Sequence, residues 1–166
     1  KTVSLFAVVE FCLWNALDDM TNFQRNLSTG EVVVDGSAVY HVTEYRERRS
    51  HYAFYSANTP VDGFETDRFA FTGLYDGYDL PQAVVRGKLA GGIATGWSPV
   101  AAFQVDLPLA PGEERSVVFL LGYAENARDQ KWTPTGTINT TRARALQTRF
   151  DSDAKVDESL ADLRAR

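Results

Sequence analysis

The order of the periodic segments constrains the fold more than any other feature of this sequence. Strand-like runs lie at residues 2–14, 31–34, 38–45, 52–56 and 100–123. Helical spacing long enough for a full helix follows only at the carboxyl end. Strands followed by helices, without alternation of the two, indicate antiparallel sheets packed face to face. We therefore predict a mainly β fold, an antiparallel two-sheet β-sandwich with short helices and a helical segment at its carboxyl end.

Two hairpins are predicted between these runs. Asp35-Gly36-Ser37 separates two β-branched runs, and glycine tolerates the positive φ that a tight hairpin turn needs. The Ala-Pro-Gly-Glu sequence at residues 110–113 predicts a second hairpin that covers residues 100–123.

The alternation in the second predicted hairpin assigns its faces. Phe103, Val105 and Leu107 occupy every second position, so they are predicted to face the core together. Gln104 and Asp106 lie between them and are predicted to face water.

Three further patterns predict where strands lie within their sheets. Residues 3–13 form a nearly unbroken apolar run, which predicts burial on both faces. Pro108 suits an edge strand, because proline cannot donate to a ladder of hydrogen bonds. The continuous apolar run at residues 117–121 predicts a buried strand nearer the centre of its sheet.

Residues 58–98 contain many glycines and prolines, which interrupt regular structure. Aromatic residues are interleaved with them, and disordered segments are poor in aromatics, so we predict an ordered connection. Short helical turns are predicted at residues 65–68, with Thr66 or Asp67 as the cap, and at residues 81–85.

Two helices are predicted at the carboxyl end. Thr140 or Thr141 can cap the first helix. Ser152 or Asp153 can cap the second. Each helix has one apolar stripe that can face a core. The stripes consist of Ala143, Leu146 and Phe150 in the first helix and of Val156, Leu160 and Leu163 in the second.

Composition excludes several kinds of partner. A chain of 166 residues with a net charge of −5 is one domain without the basic surface that nucleic-acid binders need. No apolar run approaches the roughly 20 residues that span a bilayer, so no membrane partner is expected. Cys12 is the only cysteine and lacks zinc-type spacing, so no metal site is expected. The sequence opens without methionine and stops at Arg166 inside a helical pattern, so we expect a segment of a larger protein.

Residues 10–30 combine an apolar first half with an unusually polar second half. Amide side chains offer donors and acceptors together, so this half can orient a ligand rich in hydroxyl groups. The alternative is structural, because Asp18 or Asp19 can cap a helical turn whose apolar stripe packs on a core. The polar residues are Asn15, Asp18, Asp19, Thr21, Asn22, Gln24, Arg25 and Asn26.

Residues 44–51 contain three arginines and a histidine, a composition that can bind phosphate. A solvated loop with local ion pairs explains the same composition and is favoured. No nucleophile elbow, phosphate loop or metal signature is present in the sequence. Residue types alone therefore indicate a soluble β-sandwich with one polar, potentially sugar-facing segment.

Five blocks of the sequence carry a family resemblance. They read VEFCLWNALDDMTNFQRNLSTGEV, YHVTEYRERRSHYAFYS, DGFETDRFAFTGLYDGYDLP, GWSPVAAFQVDLPLAPGEE and FLLGYAEN. They cover nearly the whole chain in order. Together they resemble the amino-terminal domain of the disaccharide phosphorylases of glycoside hydrolase family 94, and most of all that of the enzymes acting on cellobiose.

The resemblance implies a fold and a place in a larger enzyme. The fold would be a supersandwich of the galactose mutarotase-like type. Residues 1–139 would belong to this domain, and residues 140–166 would begin a helical linker toward an (α/α)6 barrel outside this chain. The implied enzyme is a cytoplasmic homodimer that cleaves a β-glucoside with inorganic phosphate, as a co-substrate, and inverts the anomeric carbon. It needs no other cofactor.

The resemblance also implies which residues meet the sugar. In the NFQRN motif, Arg25 is similar to the arginine that reaches the acceptor-sugar subsite, and Gln24 is its neighbour. The general acid is an aspartate on the barrel, so no catalytic residue is expected here. This segment alone is therefore expected to be inactive.

Two alternatives remain beside that interpretation. A free-standing carbohydrate-binding module would need exposed aromatics in one plane; the candidates are Tyr75, Tyr78, Trp97 and Trp132. A purely architectural domain would hold Arg25 in an ion pair within the domain.

Overall fold

The computed structural model describes residues 1–11, 30–43, 50–94 and 99–166. Within these ranges the strands form two antiparallel sheets, which confirms the predicted two-sheet sandwich. Sheet A has the order β1-β6-β5, and sheet B the order β2-β3-β4-β7. The strands are β1 (Thr2–Glu10), β2 (Gly30–Asp35), β3 (Ala38–Thr43), β4 (His51–Ala57), β5 (Gly63–Asp67), β6 (Pro99–Pro108) and β7 (Phe119–Glu125).

Helices cover the outer faces of both sheets. The two short helices predicted between β5 and β6 are present, and the carboxyl end forms two longer ones. They are α1 (Arg68–Thr72), α2 (Gln82–Arg86), α3 (Thr141–Arg149) and α4 (Asp153–Arg164), and a 3-10 turn lies at Arg128–Gln130. Asp67 caps α1 as predicted, because its carboxylate accepts the backbone N–H groups of Phe69 and Ala70.

The predicted β2–β3 hairpin is confirmed. Asp35 pairs with Ala38 across a two-residue turn, and Gly36 adopts a φ of 58°. Glycine adopts this left-handed conformation without steric cost, which explains the Asp-Gly sequence at the turn.

The main core lies between the sheets. Tyr55 of sheet B stacks on Phe103 of sheet A, with ring centroids 5.3 Å apart. Phe119 stacks on the other side of Tyr55 at 5.8 Å. Val39, Ala53 and Ala101 fill the same layer and are fully buried. The two sheets are therefore held together by stacked aromatic and small aliphatic side chains.

The outer face of sheet B carries a second apolar cluster. Tyr40, Val42, Tyr52 and Phe54 point to this face and are inaccessible to water. Helix α3 covers them with its predicted stripe, of which Ala143 is buried and Leu146 packs against the cluster. The cap prediction for α3 is wrong in detail, because the Thr140 side chain makes no capping bond. Instead, the Asn139 Oδ1 accepts the Thr141 N–H at 3.1 Å.

The outer face of sheet A is covered by α1, α2 and the chain that follows them. Phe71, Ala83 and Leu89 pack on Ala102 of β6. Gln104 lies on the same face and is only 7% exposed, so the prediction that it faces water is wrong.

The burial of Gln104 has a clear physical reason. Its Nε2 donates to the carbonyl of Gly87, and its Oε1 accepts the Leu89 N–H, both at 3.3 Å. The amide is therefore paired although it is covered. Phe103 and Val105 are buried as predicted, and Leu107 is half-buried. Asp106 is also half-buried. The alternation therefore predicted the register of β6 correctly. It did not predict that the opposite face of β6 is covered as well.

The prediction of a hairpin over residues 100–123 is wrong. β6 pairs with β1 and β5, whereas β7 pairs with β4 in the other sheet. The connection between β6 and β7 therefore crosses from sheet A to sheet B. Alternation reports which face a residue occupies and says nothing about the neighbouring strand.

The predicted positions of strands within the sheets also need correction. β6 is the central strand of sheet A, and Pro108 lies at its end, beyond the part that pairs with β5. β7 begins at Phe119 and is an edge strand among the described strands of sheet B. The prediction of a buried strand at residues 117–121 is wrong, since Leu121 is 42% exposed. In the part of sheet A that the structure describes, β1 is also an edge strand, and it is not buried on both faces, since Val3 is 45% exposed. The part of residues 3–13 beyond Phe11 lies outside the described residues.

The last helix forms where predicted, but its apolar stripe does not reach a core. Leu160 is 45% exposed and Leu163 is 65% exposed, and no residue of α4 is buried. Its predicted cap Ser152 precedes the helix but makes no capping hydrogen bond through its side chain.

Candidate functional site

The residues predicted to meet the sugar, Gln24 and Arg25, lie outside the described residues, as do Cys12 and Trp97. The strands nevertheless show where the chain leaves and re-enters the sandwich around them. β1 ends at Glu10, and β2 begins at Gly30.

Both of these strand ends lie at the same end of the sandwich. Phe11, just after β1, stacks on His41 near the end of β3, with ring centroids 5.3 Å apart. Pairing then brings the other strand ends to this place, which we call the rim. The rim comprises Glu10, Gly30, Thr43, His51, Asp67, Pro99 and Glu125.

A charged cluster lies at the rim on the side of sheet A. The Nε of Arg68 is 2.9 Å from the Oε1 of Glu10, and the geometry is that of an ion pair without an aligned hydrogen bond. The Tyr78 hydroxyl donates to the same oxygen at 2.8 Å. The guanidinium of Arg68 lies 5.8 Å from the centroid of the Tyr78 ring. These three side chains therefore join the end of β1 to α1 and to the connection between α1 and α2.

The pKa of Tyr78 reflects this environment. Partial burial raises it to about 12, and the hydrogen bond and negative charge of Glu10 act in the same direction. The positive charge of Arg68 opposes them. Tyr78 therefore remains a hydrogen-bond donor at neutral pH and cannot serve as a base there.

A second polar network lies beside the cluster, under the chain at residues 91–94. Glu65 is fully buried, and its Oε1 accepts the N–H groups of Thr66 and Asp67 at 3.0 Å. Its Oε2 accepts the Gly92 N–H at 3.3 Å. The Thr66 hydroxyl donates to the Gly92 carbonyl and accepts the Ala94 N–H at 2.7 Å. The buried Glu65 side chain is thus paired with backbone N–H donors.

His41 marks the rim on the side of sheet B. It is buried, and neither ring nitrogen has a hydrogen-bond partner among the described residues. Burial lowers the pKa of His41 to about 4, because the charged imidazolium loses its hydration. The ring is therefore neutral at pH 7 and packs as an aromatic side chain against Phe11.

The charged run at residues 44–51 is described only at its end. His51 lies 3.3 Å from the Glu125 carboxylate and stacks on Tyr123, with centroids 5.4 Å apart. This contact is with an acid. The three arginines of the run lie outside the described residues, so the phosphate interpretation stays a prediction.

A groove lies at the opposite end of sheet B. It has a volume of about 470 Å³ and separates the carboxyl end of α3 from the strand ends. Arg144 closes one side through an ion pair with Asp35 at 2.6 Å. The Asn58 amide is occupied, because it donates to Asp151 and accepts from Val118. This groove is remote from the rim.

The three predicted aromatic candidates that the structure describes lie over different sheets. Tyr75 is 95% exposed and lies with Tyr78 between α1 and α2, which pack on sheet A. Trp132 is 40% exposed and precedes α3, which packs on sheet B. Lys131 also lies over the Trp132 ring, with its Nζ 5.0 Å from the centroid. The carbohydrate-binding-module alternative therefore gains no support from these residues.

The described residues contain no group of three or more histidine, cysteine or acidic side chains placed to hold a metal ion. Among the described helices, none combines the length and the apolar character that crossing a bilayer requires.

Comparison with known proteins decides the family. Residues 1–150 match the model of the glycosyl hydrolase 94 supersandwich domain. The chain belongs to this family. Its β1–β6–β5 and β2–β3–β4–β7 sheets are thus part of a glycoside hydrolase family 94 supersandwich domain, as the sequence resemblance predicted.

Several full-length relatives are phosphorylases. The chain is 29% identical over 133 residues to a 3-O-beta-D-glucopyranosyl-beta-D-glucuronide phosphorylase of Paenibacillus borealis, covering 78% of this chain and 17% of the relative. It is 27% identical over 123 residues to an N,N'-diacetylchitobiose phosphorylase of Vibrio furnissii, covering 74% and 15%. It is 28% identical over 171 residues to a solabiose phosphorylase of Paenibacillus borealis, covering 97% and 22%.

The chain therefore spans about a fifth or less of the length of these relatives. Their names also differ in the sugar on which each enzyme acts. The family is shared while the substrate varies within it.

Sequence reasoning missed the charged cluster at the rim. Glu10 and Tyr78 are 68 residues apart in the chain, so no local spacing relates them. The available signal was a charged residue, Glu10, closing an apolar strand. Such a residue requires a partner if the strand end is covered.

Proposed function

We propose that this chain is the non-catalytic amino-terminal part of a disaccharide phosphorylase that acts on cellobiose. The whole enzyme would convert cellobiose and inorganic phosphate to α-glucose 1-phosphate and glucose with inversion. The proposal is supported by the family match over residues 1–150 and by the phosphorylases among the relatives. The preference for cellobiose rests on the sequence blocks that resemble cellobiose-acting enzymes.

In the proposed reaction a phosphate oxygen attacks the anomeric carbon while the bond to the acceptor sugar breaks. The leaving oxygen needs a proton from a general acid within hydrogen-bond reach. In this proposal that acid and the phosphate ligands lie in a catalytic barrel of the same chain, which residues 140–166 approach as a linker. No cofactor beyond phosphate is required, and the segment alone is inactive.

The proposed contribution of this domain is to the acceptor subsite. Arg25 would donate to hydroxyl groups of the acceptor glucose, and Gln24 would assist it. A guanidinium suits this task because its planar donors can bind two oxygen atoms at once and its charge is permanent. The segment containing both residues joins β1 to β2, whose ends lie at the rim. The rim is thus the proposed face toward the barrel. We further propose that the enzyme is a cytoplasmic homodimer.

A substrate panel on the full-length protein tests this function. The enzyme would be incubated with phosphate and, separately, with cellobiose, laminaribiose, solabiose, N,N'-diacetylchitobiose and the glucosyl glucuronide. We expect release of the α-linked sugar phosphate, with kcat/KM for cellobiose at least about tenfold above every other sugar. A preference for a different disaccharide would contradict the cellobiose assignment. Turnover of none of them would contradict the phosphorylase assignment itself.

A further inference from the structure

Four consecutive residues, Glu65-Thr66-Asp67-Arg68, make contacts to three different parts of the chain at the rim. Glu65 and Thr66 bind the backbone at residues 92–94. Asp67 caps α1. Arg68 pairs with Glu10 at the end of β1.

These residues are tightly packed as well as hydrogen-bonded. A methyl group on Gly92 would lie 2.5 Å from the Glu65 Oε1, so only glycine fits there without displacing the carboxylate. Tyr78, whose hydroxyl donates to Glu10, is also held by packing. Its ring centroid lies 6.2 Å from that of buried Phe71. Directional bonds and packing therefore define one position for the end of β1 relative to α1.

We propose that Glu65-Thr66-Asp67-Arg68, with Glu10 and Tyr78, is a positioning element that sets the affinity of the enzyme for its acceptor sugar. This inference rests on the proposed function. The element touches no substrate in this proposal. It fixes the point from which the chain leaves β1 toward Gln24 and Arg25, and a displaced exit would misplace the acceptor subsite. Small displacements of a positioned group are costly because binding geometry is narrow.

Arg68 and Glu10 each have about 29% of their side chain exposed. An ion pair with this access to water contributes modestly. Its loss should therefore leave the protein folded while loosening the end of β1.

The test uses the full-length enzyme with Arg68→Gln, Glu10→Gln, the double variant and Tyr78→Phe. The matched control is Arg115→Gln, because the Arg115 Nε also pairs with a glutamate, the Glu113 Oε1 at 2.8 Å, but near the 110–113 turn. We expect each rim variant to raise the acceptor KM in the synthetic direction about twofold to fivefold, as expected for loss of a partly exposed pair. The phosphate KM and the control should not change. The double variant should resemble each single one, because the pair acts as a unit.

Hydrogen exchange supplies a second measurement that does not depend on the proposed activity. Peptides covering residues 12–29 should exchange about threefold to tenfold faster in Arg68→Gln than in the parent enzyme, and peptides of α3 should not. A lowered thermal midpoint with unchanged acceptor KM and unchanged exchange at residues 12–29 would show a merely structural role and overturn the proposal.

A parallel Arg25→Ala variant separates the two claims. If Arg25→Ala raises the acceptor KM and the rim variants do not, the positioning role is overturned while the acceptor-subsite assignment stands. If the rim variants raise it and Arg25→Ala does not, the assignment of Arg25 fails, and the claim that the element positions Arg25 fails with it.

Discussion

The outer faces of the two sheets are covered in different ways. On sheet B, α3 lies on Tyr40, Val42 and Phe54 mainly through apolar contacts. Two tyrosine hydroxyls add hydrogen bonds, since that of Tyr52 accepts the Ala143 N–H at 3.2 Å and that of Tyr40 accepts from the Gln147 side chain at 3.4 Å. On sheet A, the cover is fixed by the buried polar side chains of Glu65, Thr66 and Gln104. Apolar burial is strong but non-directional, whereas each hydrogen bond also specifies a position. The cover of sheet A, which hydrogen bonds hold in position, is the one that reaches the rim.

The largest effect should come from the apolar face. Phe54 is fully buried, and its ring lies against Gly122, where a Cβ would come within 2.5 Å of it. Phe54→Ala should lower the free energy of unfolding by about 3–5 kcal/mol, because a large cavity is left in a packed face. Urea denaturation would measure this.

The matched control for Phe54→Ala is Leu121→Ala, in the same sheet but 42% exposed, which should cost less than about 1 kcal/mol. Equal losses in the two variants would show that α3 does not seal this face, and the contrast between the two covers would fail.

A smaller effect on stability is expected from pH, through the protonation of His41. The pKa of His41 is about 4 in the folded protein, below its ordinary value of 6.5, so between these values the unfolded state binds more protons. Stability should therefore fall as the pH falls through this window. Between pH 7 and pH 5 the loss attributable to His41 is about 2 kcal/mol.

Comparison with His41→Phe isolates this contribution, because phenylalanine keeps the stack on Phe11 and cannot titrate. The parent should lose about 2 kcal/mol more than the variant over the same pH interval. Parallel pH profiles would mean that His41 gains a partner when it is protonated.

Local signals predicted the local structure well. The Asp35-Gly36-Ser37 turn and the Asp67 cap each depend on residues close in sequence, and both are confirmed. The α3 stripe is confirmed for Ala143 and Leu146. The pairing partners of β6 and β7 depend on the path of the chain between sheets, which residue patterns do not encode. The burial of Gln104 likewise depends on a cover supplied by residues 87–89.

The candidate functional site was even less predictable from local sequence than the fold. Gln24 and Arg25 were identified through a family resemblance, because polar composition alone allowed a structural explanation. The Glu10–Arg68–Tyr78 cluster joins distant parts of the chain, so it became visible only in the folded structure.

The central claim is that this domain supplies an acceptor-binding residue to a disaccharide phosphorylase. Its most direct test is the acceptor kinetics of full-length Arg25→Ala in the synthetic direction, with Arg142→Ala, an exposed arginine of α3, as the control. A hydrogen bond from a charged donor contributes about 1.5–3 kcal/mol, so kcat/KM for glucose should fall roughly 10- to 100-fold, while the phosphate KM changes little. Unchanged glucose kinetics in a correctly folded Arg25→Ala enzyme would contradict the claim.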